Sequence, residues 1–440
     1  MCKVTVYVTN YNYQDYVEKA IKSVLHQSYT DYELLIFDDG STDDSLSIIE
    51  KYQHNPKVTI IKQNNQGLIK TSNNALSIAK GQYIIRLDAD DYLDSNALLV
   101  MVNHLETHEQ YDLVYPDYFE IDDNDNIRTI IQRKNLENMK ILDLPMHGAC
   151  TLIRKDVLTK LGGYDTNVQR QDGYNFWIKF IQQCTPSNIN LPLFYYRKHL
   201  KSLTASNTKI IRARQRIKAD FIKNQKNVLI IPVRPDNVVD NMMFTKINGK
   251  YYIDYILEKI PHINATCYIV TSDRKVLNYC KDFNTINRDP SLEKPGVDIK
   301  ESIKLIKDDY DHIGIYFPTS PLVKPSSINE AFHTAEIFNA GKVISVQQTQ
   351  DMLFTHQETG LVPLYNADKS LRKERDMIYK YTGGIIVYSK NNTGTTSHII
   401  IDDLESFDIN DKISFWICHN ILLSYQEFNK INNVKINRGY

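Results

Sequence analysis

Short apolar segments alternate with amphipathic ones from residue 4 onward, and this alternation constrains the fold more than any other feature of the sequence. It predicts strands at 4–8, 33–37, 58–61 and 83–87, with helices at 16–26, 67–79 and 97–105. Strands that alternate with helices are typical of parallel sheets with crossover helices. Segments 111–121 and 127–132 flank a polar run at 122–126 and predict a hairpin added to the sheet.

The alternation begins again at residue 227, with strands predicted at 228–232, 265–271, 312–317 and 342–346. Because 440 residues are too many for one hydrophobic core, we expect two α/β domains, at 1–205 and 227–440. A basic helical linker is predicted at 206–226, where residues 209–226 contain seven basic residues and one acidic residue. This segment is either a solvated helix joining the domains or a patch that docks on anionic lipid or on an acceptor.

Composition restricts the partners and the compartment. A net charge of −1 gives no general attraction to nucleic acid, so we expect no nucleic-acid partner. Six scattered cysteines without a CxxC pair disfavour a zinc site and a disulfide framework, and fit a reducing cytoplasm. No signal peptide is apparent, and no apolar run approaches the ~20 residues that span a bilayer. We expect a cytoplasmic protein, with peripheral contact at the inner face of the membrane and assembly into a homo-oligomer left open.

Two acidic segments follow predicted strands. Asp38 and Asp39 come after the strand at 33–37, and the segment Asp88-Ala-Asp90-Asp91 comes after the strand at 83–87. In a doubly wound sheet both loops open on the edge where ligands bind. Carboxylates there can accept the N–H of a uracil or guanine ring and can hold Mg²⁺ or Mn²⁺ against a diphosphate. The alternative for 88–91 is an acidic turn that merely ends a strand.

This arrangement suits glycosyl transfer, because a departing nucleoside diphosphate needs its charge stabilised and an acceptor hydroxyl needs a base. Residues 3 to about 204 also resemble the family 2 glycosyltransferases, which have the GT-A fold. The motifs that carry the resemblance are VTVYVTNYN at 4–12, SVLHQSY at 23–29, DDGSTD at 38–43, NQG at 65–67, AKG at 79–81, LDADD at 87–91, LGGYD at 161–165, QDGY at 171–174 and YRKH at 196–199. Each motif is weak alone, but their combination in this order is specific.

The resemblance implies a role for individual residues. Asp172 would be the catalytic base, with a plain helix cap as the alternative. Asp90 and His199 would hold the metal ion, and a surface histidine is the alternative for His199. The residues implied in nucleotide-sugar binding are Thr9, Asn10, Asp38, Asp39, Lys70, Asp88, Asp90 and Asp91. Those implied on the acceptor side are His147, Gly148 and Trp177.

Three residues depart from the family pattern. Thr9 stands where the family usually has proline, and Asn175 stands where an aspartate is common after the base. Ser72 replaces a frequent arginine, which predicts weaker diphosphate binding with Lys70 as a substitute. The carboxylates that the chemistry requires are all retained.

Residues 228 to about 420 resemble the acylneuraminate cytidylyltransferases, which couple CTP to an acidic sugar. The motifs are IIPVR at 230–234, VTSD at 270–273, FPTSPL at 317–322, VISV at 343–346, YTGGI at 381–385 and FDI at 407–409. The implied site residues are Arg234, Ser272, Asp273, Thr319, Ser320 and Asp408. The segment 234–243 keeps one cation, Arg234, where a triphosphate needs a cationic, glycine-rich loop. We therefore expect a nucleotidyltransferase-like α/β domain that is either catalytic or repurposed.

Together these observations predict two Rossmann-like domains, a GT-A glycosyltransferase domain followed by the nucleotidyltransferase-like domain. The predicted activity is metal-assisted, inverting transfer from a UDP-linked nucleotide-sugar donor to a hydroxyl of a glycan, lipid-linked or protein acceptor. The setting would be bacterial surface glycan synthesis or protein glycosylation. One alternative is a bifunctional enzyme whose C-terminal domain makes a CMP- or CDP-activated substrate. Another is a C-terminal domain, or a whole protein, that acts as a non-catalytic scaffold.

Overall fold

The computed structural model describes residues 2–133, 149–167, 172–198, 207–222, 225–235, 241–293, 298–357, 360–365, 378–390 and 394–424. The chain divides into two compact units, Met1–Ile217 and Lys218–Tyr440. The division falls inside the segment predicted as a linker. Both units combine a sheet with helices, which confirms the predicted α/β class.

The first unit contains a nine-stranded sheet. Its strands are β1 Val4–Asn10, β2 Tyr32–Asp38, β3 Val58–Lys62, β4 Tyr83–Asp88, β5 Tyr92–Leu93, β6 Leu113–Ile121, β7 Ile127–Ile131, β8 Leu152–Arg154 and β9 Pro186–Arg197. Its helices are α1 Val17–Leu25, α2 Ser45–Glu50, α3 Leu68–Ile78, α4 Ala97–Thr107, α5 Lys155–Lys160 and α6 Asp172–Gln183, and α7 Asn207–Asp220 crosses into the second unit. The strand order is β3-β2-β1-β4-β8-β6-β9-β5, with β7 paired antiparallel to β6 as the predicted hairpin.

Hydrophobic layers on both faces of this sheet explain its formation. The side chains of a strand alternate between faces, so Val6 and Val8 of β1 join one buried cluster while Tyr7 joins another. Helix α1 covers the first cluster with apolar residues spaced at three and four, including Ala20 and Val24. The parallel strands β1, β2 and β4 therefore end together at one edge, where the acidic segments emerge.

The second unit contains a seven-stranded sheet with the order β14-β13-β10-β15-β19-β16-β20. Its strands are β10 Asn227–Pro232, β11 Lys246–Ile247, β12 Lys250–Tyr251, β13 Thr266–Thr271, β14 Thr285–Asn287, β15 His312–Tyr316, β16 Lys342–Thr349, β17 Leu353–Gln357, β18 Gly360–Tyr365, β19 Ile378–Ser389 and β20 Thr396–Ile400. Its further helices are α8 Asp254–Leu257, α9 Arg274–Tyr279, α10 Lys300–Ile303, α11 Pro325–Ile337 and α12 Lys412–Leu423. Strands β11 and β12 pair with each other, as do β17 and β18.

The two sheets share one topology. In each, four parallel strands are followed by one antiparallel strand, and two further strands then run parallel to the first four. Strand β8 is the antiparallel strand of the first sheet, and β19 is its counterpart. Each of these strands lies beside a strand that precedes it in the chain, β6 and β16 respectively. The second sheet thus repeats the order of seven strands of the first, which additionally contains β5 beside β9 and β7 beside β6.

Helix α7, which lies in the predicted linker, is exposed at some of its basic residues and buried at one of them. Lys218, one of its basic residues, is fully buried and donates hydrogen bonds to Glu330 and Thr334, each at 3.0 Å. A buried ammonium requires such a partner, because desolvation would otherwise cost several kcal/mol. Arg212 and Arg216 of the same helix are exposed. Within the described ranges, no helix is both long and apolar enough to cross a membrane.

Candidate functional site

The carboxyl end of β4 carries the first acidic residue of the candidate site. Asp88 is the last residue of β4 and lies in register with Thr9 of β1. The Thr9 hydroxyl donates to Asp88 Oδ1 at 3.2 Å, and Arg86 Nε lies 3.1 Å from the same oxygen. The Arg86 side chain is only 6% exposed, so water screens its charge poorly. Arg86, which the sequence analysis did not identify, therefore orients and partly neutralises Asp88.

Asp90 and Asp91 extend the acidic cluster beyond the strand. The Tyr13 hydroxyl hydrogen-bonds Asp90, and burial together with the charges of Asp90 and Asp88 raises the pKa of Tyr13. Asp91 is 2% exposed and accepts the Arg197 main-chain N–H at 2.9 Å on Oδ1. Its Oδ2 has no hydrogen-bond partner among the described residues. Burial, followed by the charges of Asp90 and Asp88, raises the pKa of Asp91 well above its usual value.

This crowding of negative charge fits a hard divalent cation. Mg²⁺ or Mn²⁺ would stabilise the ionised form of Asp91, whose pKa is raised by burial and by the charges of Asp90 and Asp88, and the buried oxygen of Asp91 lacks a donor in the described structure. No three His, Cys, Asp or Glu side chains within the described ranges form a complete metal-binding group. The remaining ligands would then come from a diphosphate, from water, and from His199, which lies outside the described residues.

Arg197, the last residue of β9, fastens the acidic segment to the hairpin formed by β6 and β7. Its side chain is 2% exposed. Nε donates to the Asp90 carbonyl at 3.0 Å, Nη1 to the Asp122 carbonyl at 2.7 Å, and Nη2 to Asp125 Oδ1 at 2.5 Å. The guanidinium also lies 4.6 Å from the ring centre of Tyr16. Arg197 is part of the YRKH motif, but its role as an anchor depends on contacts that the sequence does not reveal.

The loop after β2 begins beside the end of β1. The Asn10 side-chain amide donates to Asp38 Oδ1 at 2.9 Å and to Ser41 Oγ at 3.0 Å. Asp38 Oδ2 accepts the main-chain N–H of Ser41 at 3.1 Å. Asn10 and Asp38 are 1% and 3% exposed, so they stabilise the loop from within. The structure brings these two predicted site residues together, and they hydrogen-bond to each other and to Ser41.

The Asp39 carboxylate holds a second loop. Its Oδ1 accepts from Gln63 Nε2 at 2.7 Å and from the Gln66 main-chain N–H at 3.0 Å. Its Oδ2 accepts from the Gly67 main-chain N–H at 2.9 Å. Gly67 adopts a φ of +85°, a conformation that glycine reaches without strain, and α3 starts at the next residue. Asp39 therefore sets the path of the chain into α3.

Lys70 and Ser72, the two residues considered in connection with diphosphate binding, both lie near the start of α3 but differ in exposure. Lys70 lies in its first turn and is exposed, as a phosphate ligand requires. Ser72 is fully buried, and its hydroxyl has no hydrogen-bond partner among the described residues. Ser72 therefore cannot contact a diphosphate itself, and the prediction that the loss of an arginine at this position weakens diphosphate binding, with Lys70 as a substitute, stays a prediction.

Helix α6 begins at Asp172, the predicted base, so its main chain lies at a helix N-terminus, which favours a carboxylate. Trp177, assigned to the acceptor side, is fully buried in a core cluster with Phe176 and Phe180. This placement corrects that assignment. The apolar run along α6 was the available signal, since a helix that is apolar on most of its surface is buried. His147 and Gly148 lie outside the described residues.

The corresponding edge of the second unit carries a loop at 318–321 that is held through its carbonyl oxygens. The hydroxyls of Tyr252 and Tyr316 donate to the carbonyls of residues 318 and 320, at 2.6 and 3.0 Å. The Ile409 main-chain N–H donates to the Thr319 carbonyl at 2.8 Å, and the Lys259 ammonium donates to that of residue 321. Burial lowers the pKa of Lys259 to about 7. Polar groups beneath the loop thus fix its conformation.

Two of the predicted residues of the second unit meet at this loop. Ser320 Oγ donates to Asp408 Oδ1 at 2.9 Å, beside the partly exposed Thr319. Gly383 adopts a φ of +77°, and a methyl group added there would lie 3.5 Å from Asp408 Oδ2. Thr319, Ser320 and Asp408 are therefore brought together.

The other predicted residues of the second unit either have structural hydrogen-bond partners or show no contact with the loop at 318–321 in the described part of the chain. Ser272 Oγ donates to Glu293 Oε2 at 2.7 Å. Asp273 caps α9 by accepting the Lys275 main-chain N–H at 2.8 Å. Arg234 follows β10 and is partly exposed. Ser272 and Asp273 thus have structural partners that account for them without a ligand.

The first unit is an α/β domain whose ligand edge carries clustered carboxylates. Residues 5–162 match the family model described as Glycosyl transferase family 2, and the N-terminal part of the chain therefore contains a family 2 glycosyltransferase domain.

Relatives share this part of the chain. The chondroitin synthase of Escherichia coli is 37% identical over 125 residues, which cover 28% of this chain and 18% of that protein. UDP-Glc:alpha-D-GlcNAc-diphosphoundecaprenol beta-1,3-glucosyltransferase WfaP of Escherichia coli is 28% identical over 233 residues, covering 52% of this chain and 90% of that protein. The crystal structure of Staphylococcus aureus TarS 1–349 with UDP-GlcNAc has a TM-score of 0.43 and 20% identity, covering 50% of this chain and 66% of that one. The match to the chondroitin synthase therefore spans less than a fifth of that relative's length.

Proposed function

We propose that the first unit is an inverting, metal-assisted glycosyltransferase that uses a UDP-linked sugar. The observation that carries this proposal is the cluster of Asp88, Asp90 and Asp91 at the carboxyl edge of β4, with the hydroxyl of Tyr13 facing it. Such an edge is where open α/β sheets bind ligands. The WfaP relative supports the choice of donor, because its name states UDP-Glc.

The donor would lie along this edge. Asp88 and Asp90, together with His199, would hold Mg²⁺ or Mn²⁺, and this ion supplies charge that stabilises a diphosphate leaving group. The nucleoside end would meet Thr9 and the loops set by Asn10, Asp38 and Asp39. Lys70, exposed in the first turn of α3, would add a cation near the diphosphate.

Asp172 would act as the base. It would take the proton from an acceptor hydroxyl while the oxygen attacks the anomeric carbon, and the bond from that carbon to the diphosphate oxygen would break. Attack opposite to the leaving group inverts the anomeric configuration. The position of Asp172 at the start of α6 supports this role, because the helix dipole favours the ionised form that accepts a proton.

The acceptor is proposed to be a hydroxyl of a glycan, of a lipid-linked sugar or of a protein, within bacterial surface glycan synthesis. The WfaP name states a lipid-linked acceptor, which would place the reaction at the cytoplasmic face of the membrane. Arg212 and Arg216 are exposed on α7 and would attract anionic lipid. Lys218 is buried and takes no part in such a surface.

A panel of UDP-, GDP- and TDP-sugars with Mn²⁺ or EDTA tests the proposal. We expect nucleotide release from at least one UDP-sugar with Mn²⁺, and its loss in Asp90→Asn. Asp156→Asn, which neutralises an exposed carboxylate on α5, is the matched control and should behave as wild type. Proton NMR of the product should show the anomeric configuration opposite to that of the donor. Release by Asp90→Asn at the wild-type rate would refute the proposal.

The second unit has a second candidate function, the binding of a nucleotide at its own sheet edge. The repeated strand order and the fixed loop at 318–321 beside Asp408 support it. The shortage of cations in 234–243 instead favours a repurposed, non-catalytic domain. Calorimetry of CTP binding to the full chain, with Asp408→Asn as the variant, decides between them. Binding that is lost in Asp408→Asn supports a nucleotide site, and no binding by wild type favours the scaffold.

A further inference from the structure

Arg197 is a nearly buried cation that lies against the acidic segment. Its guanidinium meets Asp90 at the main-chain carbonyl, at 3.0 Å, and meets the carboxylate of Asp125 at 2.5 Å. Asp125 lies in the turn between β6 and β7, and its side chain is 41% exposed. Of the two acidic groups near the guanidinium, the Asp125 carboxylate is the one that accepts a side-chain hydrogen bond from it, while the charge of Arg197 also acts on the neighbouring Asp91.

The balance of charge around the acidic cluster determines how strongly the cluster can bind a divalent cation. Asp88 already has a cationic neighbour, because Arg86 lies 3.1 Å from its Oδ1. Asp125 also holds Lys19, whose Nζ lies 2.8 Å from Oδ2. If Asp125 lost its charge, the guanidinium of Arg197 would lose a carboxylate partner and the potential around the acidic cluster would become more positive. Such a cation competes with a divalent ion for the same negative potential.

We propose that Asp125 is a positioning residue for the metal site: by holding the Arg197 guanidinium, it preserves the negative potential with which the acidic cluster of Asp88, Asp90 and Asp91 attracts a divalent cation. The inference rests on the proposed function, since it presumes a metal at this edge. Asp125 lies outside the acidic segment at 88–91 and acts from the neighbouring hairpin.

Asp125→Asn is a suitable perturbation. Asp125 has a φ of +65°, and asparagine adopts this left-handed conformation as readily as aspartate does. Asp123→Asn is the matched control, because it removes the same charge from the same turn. Asp123 accepts a long hydrogen bond from the Tyr16 hydroxyl, at 3.4 Å, and the described part of the chain shows no ion pair between Asp123 and Arg197.

The measurement is Mn²⁺ binding to the full chain, followed by electron paramagnetic resonance without any donor. We expect Asp125→Asn to bind Mn²⁺ about five- to tenfold more weakly than wild type, and Asp123→Asn to stay within about twofold. In turnover assays, the Mn²⁺ concentration for half-maximal activation should rise while the rate at saturating Mn²⁺ stays near that of wild type.

The outcomes separate this inference from the function on which it rests. If wild type binds Mn²⁺ and both asparagine variants bind it equally well, the role of Asp125 is refuted and the metal site stands. If wild type binds no Mn²⁺ and transfers sugar in EDTA, the metal-assisted function fails as well.

Discussion

The carboxylate of Asp39 offers a test of what the first unit needs in order to fold around its site. It accepts three hydrogen bonds, from the Gln63 side chain and from the main chain of Gln66 and Gly67, at 2.7, 3.0 and 2.9 Å. Asp39→Asn replaces one acceptor oxygen by an NH2 group. Whichever way the amide is oriented, this NH2 group then faces at least one N–H donor.

The cost follows from these contacts. Asp39 is 6% exposed, so water cannot easily replace a lost partner. One charge-assisted hydrogen bond is removed, worth ~1.5–3 kcal/mol, and the remaining bonds lose the stabilisation of a full charge. We expect the free energy of unfolding of the first unit to fall by about 2–4 kcal/mol.

Tryptophan fluorescence can follow the unfolding of the first unit within the full chain. The chain has two tryptophans, of which Trp177 is fully buried in the first unit and Trp416 is 66% exposed in the second. Urea unfolding of the full chain, followed at the blue-shifted emission of Trp177, gives the free energy of unfolding from the midpoint and slope. Asp44→Asn is the control, because Asp44 is a nearby exposed residue that makes no side-chain cap.

One result would refute this reasoning. If Asp39 acts only on the nucleobase, Asp39→Asn will unfold at the wild-type urea concentration and will lose affinity for UDP alone. If Asp39 holds the loop at 63–67, the variant will unfold earlier than Asp44→Asn does, with or without UDP.

Three further predictions concern stability. Lys218→Met should lower the free energy of unfolding of the second unit by about 3–5 kcal/mol in urea, since Glu330 loses its buried cation, while Lys226→Met at an exposed ion pair should cost under about 1 kcal/mol. Gly81→Ala should lower the free energy of unfolding by about 3 kcal/mol or prevent folding, because the added carbon would lie 2.7 Å from the Tyr83 carbonyl oxygen. In the control Gly162→Ala the added carbon meets no atom within 4 Å, so the free energy of unfolding should fall by only about 1–2 kcal/mol, owing to the positive φ at this position. Burial and the Lys218 charge lower the pKa of His333 to about 4, so the unfolded chain binds more protons than the folded chain between pH 6.5 and 4. The free energy of unfolding should therefore fall as the pH drops through this range, by up to about 1.4 kcal/mol per pH unit, and His333→Gln should flatten that dependence in urea titrations at several pH values.

Much of the fold could be predicted from the sequence, because strand and helix periodicities are local. The hairpin of β6 and β7 followed from two apolar segments around a polar turn, and α1 followed from apolar residues spaced at three and four. The shared strand order of the two sheets could not be predicted in this way. The order depends on which strands pair over long separations, and alternation along the chain does not encode those partners.

The site was predictable in its acidic residues and less so in their partners. Arg86 had one signal, a cation two residues before Asp88 on the same face of an otherwise apolar strand. Tyr13 had none, since its contact with Asp90 joins two loops. Trp177 and Lys218 were assigned to surfaces because residue type was weighed above the packing of the helix that carries each one.

The most direct test of the central claim is calorimetry of UDP binding to the full chain, with and without Mn²⁺, for wild type and Asp90→Asn. Clustered carboxylates that serve a divalent ion should repel UDP in EDTA and bind it when Mn²⁺ is present. We expect Mn²⁺ to tighten UDP binding to wild type at least about tenfold, a difference of about 1.4 kcal/mol, and to have little effect on Asp90→Asn. Equal affinity with and without Mn²⁺, unchanged by the substitution, would contradict the account.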